Sequence, residues 1–321
     1  MSGPRAPHFV IVGTPRSGTT LVQRLACELP GVVVPPETHV LSLLAPELLR
    51  AGFPLARERL ASELRRYVEL EPVRELGLDS EQILGFVEDP CPDPFAVYAA
   101  VLGVLGGDAP ILGEKTPDHL RWWRPLSVAY PALRFVAVVR DPRGVVASNL
   151  AVPWGMNRPA TLAERWMLDQ RELRAARGVL GDRFLLLRYE DVVNDPARSK
   201  SQLAALLGIT AEADAGEEHP HLRMSTAREH WKRGATGPVS AEPAGRWRET
   251  LPERDRAVVE AVCGREMRRF GYEPERSWRR AALVHAVGSP LDHARRARLR
   301  WVRRREALRI AAVTPAAGGE G

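Results

Sequence analysis

Short apolar runs alternate with stretches of helical periodicity along this chain, a pattern that predicts an α/β fold with a mostly parallel, P-loop-type sheet flanked by helices. His8–Val12 reads as a buried first strand and Val32–Val34 as a short second one; Pro110–Gly113, Arg134–Val139 and Phe184–Arg188 supply three more. Helices are expected over Thr19–Glu28 and Pro142–Leu150, each directly after a strand. Residues from about 40 to 107 carry a helical pattern broken by Pro46, Pro54, Pro72 and Pro90, and read as a cap over one edge of the sheet. Glu229–Gly245, rich in Gly, Pro, Ser and Thr, reads as a long loop, which inside a compact domain is functional or disordered. A helical pattern returns over Leu291–Ile310 before a terminal PAAGGEG. The organisation expected is a main domain, 1–275, and a C-terminal extension, 276–321.

Composition narrows the class. The chain has 321 residues, 45% hydrophobic and 27% charged, as expected of a soluble globular protein with a full core. Apolar runs such as Phe135–Val139 are too short to span a bilayer, and the N-terminus shows no basic or apolar leader, so the expected location is the cytoplasm. Three scattered cysteines, Cys27, Cys91 and Cys263, match neither a disulfide framework nor a zinc pattern. Lys115, Lys200 and Lys232 are the only lysines in an arginine-dominated chain, which reads as a bacterial genome bias. The charge is unevenly placed: 276–321 carries +8, the whole chain +6, and 1–275 therefore −2. The main domain is not a basic nucleic-acid binder. The extension alternates Arg with Leu, Trp and Val, the pattern of an amphipathic helix on an anionic membrane or partner, or of a solvated extension.

The chemistry starts at Gly13-Thr14-Pro15-Arg16-Ser17-Gly18-Thr19-Thr20, between the first strand and an apolar helix. Strand, glycine-containing loop and helix in that order make an anion site: helix-start amides point at the ligand and the dipole favours negative charge. Gly13 and Gly18 permit the tight turn, and Ser17, Thr19 and Thr20 bring hydroxyls. A Walker loop needs lysine after its second glycine; Thr19 stands there instead, and the cation has moved to Arg16. No strand ends in an acid that would hold magnesium, since the FVAVV strand runs into Arg140. Such a loop suits a nucleotide whose transferred group is neutralised by protein cations without a required metal.

PRSGTT, Pro15–Thr20, resembles the 5′-phosphosulfate loop of the sulfotransferase family. RDPRGVVAS, from Arg140 to Ser148, is similar to that family's 3′-phosphate signature, an arginine at a strand end with a serine eight positions on. The resemblance, with arginine in the loop and PPETH after the second strand, is to the tyrosylprotein and heparan-type branch. It implies 3′-phosphoadenosine 5′-phosphosulfate (PAPS) as donor and sulfuryl transfer to a hydroxyl or amine. Arg16 would neutralise charge on the departing bridging oxygen, with Ser17, Gly18, Thr19 and Thr20 around the 5′ group and Arg140 and Ser148 on the 3′-phosphate. Glu37, in Val34-Pro35-Pro36-Glu37-Thr38-His39, is the expected general base, or else the cap of the next helix; His39 is a rival base, or a solvated helix histidine.

Lys115, in Gly113-Glu114-Lys115-Thr116-Pro117, resembles the K-[ST]-P segment near the acceptor of carbohydrate sulfotransferases; its other reading is a salt bridge with Glu114 or Asp118. Arg188-Tyr189-Glu190-Asp191 resembles the RYEDL segment and implies Tyr189 beside the 3′-phosphate or adenine. Gly245-Arg246-Trp247-Arg248 resembles the GRW segment of bacterial members, with Arg246 a phosphate ligand and Trp247 in the core. The acceptor expected is a small molecule or carbohydrate, with no nucleic acid. A catalytically silent PAPS- or phosphate-binding module and a P-loop kinase are the alternatives. The oligomeric state is not legible.

Overall fold

A computed structural model describes residues 3–152, 158–209, 242–275 and 290–312. Five parallel strands form one sheet in the order β2-β3-β1-β4-β5: β1 (Phe9–Gly13), β2 (Val32–Val33), β3 (Ile111–Lys115), β4 (Arg134–Val139) and β5 (Phe184–Arg188). This is the α/β, P-loop-type sheet that the sequence pattern predicts. β1 is wholly buried and central, which accounts for its unbroken apolar run. The chain leaves β1 to one side, through β2 and β3, then crosses to β4 and β5 on the other. Ligands of open α/β sheets bind beyond the strand carboxyl ends where such connections diverge.

The other elements sort by the face they cover. Val10 and Val12 point to one face, against α2 (Ala45–Ala51), α3 (Arg57–Val68), α4 (Glu71–Arg74), α5 (Ser80–Leu84), α6 (Pro94–Gly106) and α7 (Trp123–Ala129). The block from 40 to 107 is thus helical as expected, but it covers a face of the sheet and not its edge. Pro46 and Pro72 start α2 and α4, because a first-turn residue needs no helical N–H partner. Phe9 and Ile11 point to the other face, against α1 (Thr19–Cys27), α10 (Tyr189–Asn194) and α11 (Pro196–Leu207). A third cluster joins α8 (Pro142–Leu150), α9 (Pro159–Leu180) and α14 (Glu253–Arg269) with Leu251; α12 (Glu242–Gly245) and α13 (Trp247–Thr250) precede Leu251 in the chain.

β3 runs two residues past its expected end, through Glu114 and Lys115, both fully buried. Charged residues are poor strand predictors, and here their side-chain partners carry them inside. Cys27, Cys91 and Cys263 are free and buried.

The C-terminal helix α15 (Pro290–Ala311) lies against α9 and is not solvated all round. Arg296 and Arg300 bond the buried Glu164 at 2.7–3.0 Å, Arg303 bonds Asp169 at 2.8 Å, and Ile310 enters the core. Among the described residues no helix is long and apolar enough to cross a membrane. Most of the expected 229–245 loop, residues 276–289 and the terminal PAAGGEG lie outside the described residues.

Candidate active site

Where β1 meets α1 the backbone is held too tightly for side chains at two positions. A Cβ on Gly13 would lie 2.4 Å from the Val138 carbonyl oxygen, and one on Gly18 would lie 2.3 Å from the Tyr189 ring. Gly18 also caps α1 in the left-handed region, at φ 93°, where glycine carries no steric cost. Thr19 and Thr20 open α1 ahead of its first backbone bonds, from Leu21 N and Val22 N to the Gly18 carbonyl, and the helix dipole favours an anion beside them. Ser17 Oγ is fully buried and has no hydrogen-bond partner among the described residues. An orphaned hydroxyl at that helix start fits a phosphate or sulfate group. Thr19 is buried beside it and Thr20 partly exposed, while Thr14 Oγ1 accepts from Gln170 Nε2 at 3.1 Å, tying the loop to α9.

The second motif meets the first here. Arg16, at φ 76°, extends its Nε to donate to Ser148 Oγ at 3.1 Å. Arg140 Nη1 donates to the Arg16 carbonyl at 3.2 Å, and its guanidinium lies 4.2 Å from the Tyr189 ring centroid. Trp166 Nε1 fixes the Arg140 carbonyl at 3.0 Å. Two arginines, a serine and a tyrosine therefore converge beside the loop, a charge pattern suited to a second phosphate. Arg143 faces the other way: it pairs with Asp141 and Glu260, both at 2.7 Å, and stacks on Trp247. Asp141 caps α8 by accepting from Arg143 N, and Glu190 accepts from Asp141 N and the Tyr272 hydroxyl. Arg246 is exposed at the start of α13, with no contact to Arg16, Arg140 or Ser148 among the described residues; the adjacent Trp247 is buried.

On the other side of β1, Lys115 Nζ donates to Glu37 Oε1 at 2.5 Å, with the lysine side chain fully buried and the carboxylate 19% exposed. Lys115 thus pairs with Glu37, not with Glu114 or Asp118; Asp118 is taken by Arg121 and Arg165. The π-helical turn that follows (Val40–Leu44) has His39, not Glu37, at its N-cap position. His39 is no solvated helix residue. It sits at φ 55° with Nε2 3.6 Å from Glu37 Oε2. Burial lowers its pKa against the opposing pull of Glu37, which keeps the ring neutral at neutral pH.

Behind this pair lies a buried hub that no motif announced. Glu114, fully buried, accepts from Thr116 Oγ1 at 2.5 Å, from Thr38 Oγ1 at 3.2 Å and from His119 Nδ1 at 2.9 Å. His119 Nε2 accepts from Leu41 N at 3.2 Å, which assigns the proton to Nδ1. The Tyr67 hydroxyl, from the helical block, donates to the Thr38 carbonyl. Burial alone would raise the Glu114 pKa, but His119, Thr116 and Lys115 together hold it below the usual carboxylate range. Thr38 and Thr116 are the neighbours of Glu37 and Lys115, so Glu114 locks both segments in register. On the α1 side, Gln23 Nε2 donates to the Val34 and Pro35 carbonyls at 3.0 Å, holding the Glu37 segment beside the phosphate loop helix.

Residues 7–213 match the family described as the sulfotransferase family. Carbohydrate sulfotransferase 3 of Homo sapiens is 28% identical over 186 residues, covering 50% of this chain and 37% of that protein. Protein-tyrosine sulfotransferase 1 of Danio rerio is 24% identical over 282 residues, covering 84% and 73%. The chain therefore spans well under half the length of the carbohydrate enzyme. The sulfotransferase domain from the Synechococcus PCC 7002 olefin synthase shares the fold at TM-score 0.55 and 22% identity, over 84% of this chain and 96% of that one. With a matched region that holds the phosphate loop, Glu37, Lys115, Arg140, Ser148 and Tyr189, this chain belongs to the sulfotransferase family.

Proposed function

We propose that this protein transfers a sulfuryl group from PAPS to a hydroxyl or amine of a small molecule or carbohydrate, with Glu37 as general base. The observation that carries the reading is the meeting of Arg16 with Ser148 and Arg140, 132 and 124 positions away in sequence. That contact makes one cradle with places for two anionic groups, as the 5′ and 3′ ends of PAPS require. The orphaned Ser17 hydroxyl at the start of α1 supports the fit.

In this reading Ser17, Thr19, Thr20 and the first-turn amides of α1 hold the 5′ end, while Arg140, Ser148 and Tyr189 hold the 3′-phosphate. Bound PAPS supplies the sulfuryl group and a phosphate leaving group. Arg16 would neutralise the charge that develops on the donor's phosphate as the sulfuryl group leaves it. Glu37 receives the acceptor proton on its carboxylate as the new bond to sulfur forms. Lys115 orients that carboxylate and brings a buried cation to the same edge of the sheet. Arg246, exposed at the start of α13, is kept in this reading as a further ligand of the phosphates.

Calorimetric titration of 3′-phosphoadenosine 5′-phosphate onto the wild-type protein and Arg140→Ala, without magnesium, tests this. Removing the charged donor is expected to weaken binding about 10- to 100-fold. Binding that requires magnesium and prefers ATP would replace the reading with a P-loop kinase.

A further inference from the structure

Helix α15 is held on α9 by one face only. Arg296, Arg300 and Arg303 are turned inward onto Glu164 and Asp169, and Ile310 is in the core. Its acids are engaged as well: Glu306 by Arg121, and Asp292 by Arg158 and Arg295. These contacts fix which residues face away. Ala294, Ala297, Trp301 and Leu308 recur at helical spacing and form an outward apolar stripe, with Trp301 53% and Leu308 65% exposed. Exposed Arg298, Arg305 and Arg309 flank it on one side and exposed Arg304 on the other. Arg305 stacks on Trp301 at 4.2 Å, and no fully exposed acid lies on the helix.

We infer that this face of α15 is a docking surface for an anionic lipid bilayer. Such a bilayer uses both halves of the pattern: the stripe enters the headgroup boundary while the arginines meet lipid phosphates. A nucleic acid would use the arginines alone, and residues 1–275, at −2, offer no wider basic footprint for one. The inference stands on α15 and its contacts, whatever the donor or acceptor.

Co-sedimentation of the full chain with vesicles of phosphatidylcholine, with and without phosphatidylglycerol, provides the test. The expected result is binding to the anionic vesicles alone, weakened by added salt. Joint Trp301→Ser and Leu308→Ser substitution lowers partitioning at least about tenfold. Joint Arg298→Gln, Arg304→Gln and Arg309→Gln substitution lowers it on the order of 100-fold. All these positions face outward, so an unchanged melting temperature serves as the folding control. Absent binding, or equal binding to neutral vesicles, overturns the inference. So does competition by a DNA duplex with no contribution from Trp301 and Leu308, which would mark a polyanion site instead.

Discussion

At the scale of single residues, chemistry and geometry separate cleanly at Glu37. Its carboxylate touches Lys115 and lies near His39 but helps hold neither motif of the phosphate cradle. Glu37→Gln is therefore expected to lower turnover about 10²- to 10⁴-fold while leaving affinity for 3′-phosphoadenosine 5′-phosphate unchanged. A silent binding module would show that affinity with no wild-type turnover of PAPS, so the pair of measurements distinguishes the two. Gly18→Ala should do the reverse. Its Cβ would drive into the Tyr189 ring from a left-handed backbone, displacing the face on which Arg140 stacks. Nucleotide affinity and melting temperature are expected to fall together, which calorimetry and a thermal scan would show.

At the scale of elements, the extension of β3 through Glu114 decides how the site is built. Strand, the Thr38 segment and the turn bearing His119 are joined through one buried carboxylate. Glu114→Gln keeps the shape but replaces one acceptor with a donor facing donors, so a loss of about 1–3 kcal/mol is expected in denaturant unfolding. Because the folded pKa of Glu114 is lowered, its contribution is present above the ordinary carboxylate range and lost as pH falls through and below it. Glu190, raised by burial, has the opposite sign and offsets part of this. The acid limb of the wild-type stability curve should therefore flatten in Glu114→Gln. An unchanged slope would show that the hub is not a charged carboxylate. The sequence offered Glu114 only as one possible partner of Lys115, because Thr38, 76 positions away, is brought to it only by the fold.

Across the whole molecule, the C-terminal helix is part of the folded body. Glu164 lies on α9 with its side chain fully buried, and Arg296 and Arg300, both from α15, pair with it. Joint Arg296→Ala and Arg300→Ala substitution leaves that carboxylate without those cations, and a loss of about 3–5 kcal/mol is expected. Limited trypsin digestion should then cut α15 first, whereas the wild-type helix resists; equal rates would contradict the docking.

The strand–loop–helix order, the two glycines, Arg16, and the Arg140–Ser148 spacing were legible in the sequence because each is a local pattern with a local physical cause. A turn needs glycine, a helix start attracts an anion, and residues two turns apart share a helix face. So were the five strands, whose apolar runs at β1 and β4 reflect burial on both faces. Tertiary structure alone decided that Lys115 pairs with Glu37, that Arg143 is spent in the core while Arg140 faces the cradle, and which arginines of α15 are buried. Those outcomes depend on which distant segment supplies the nearest opposite charge once water is excluded, and no spacing along the chain encodes that distance.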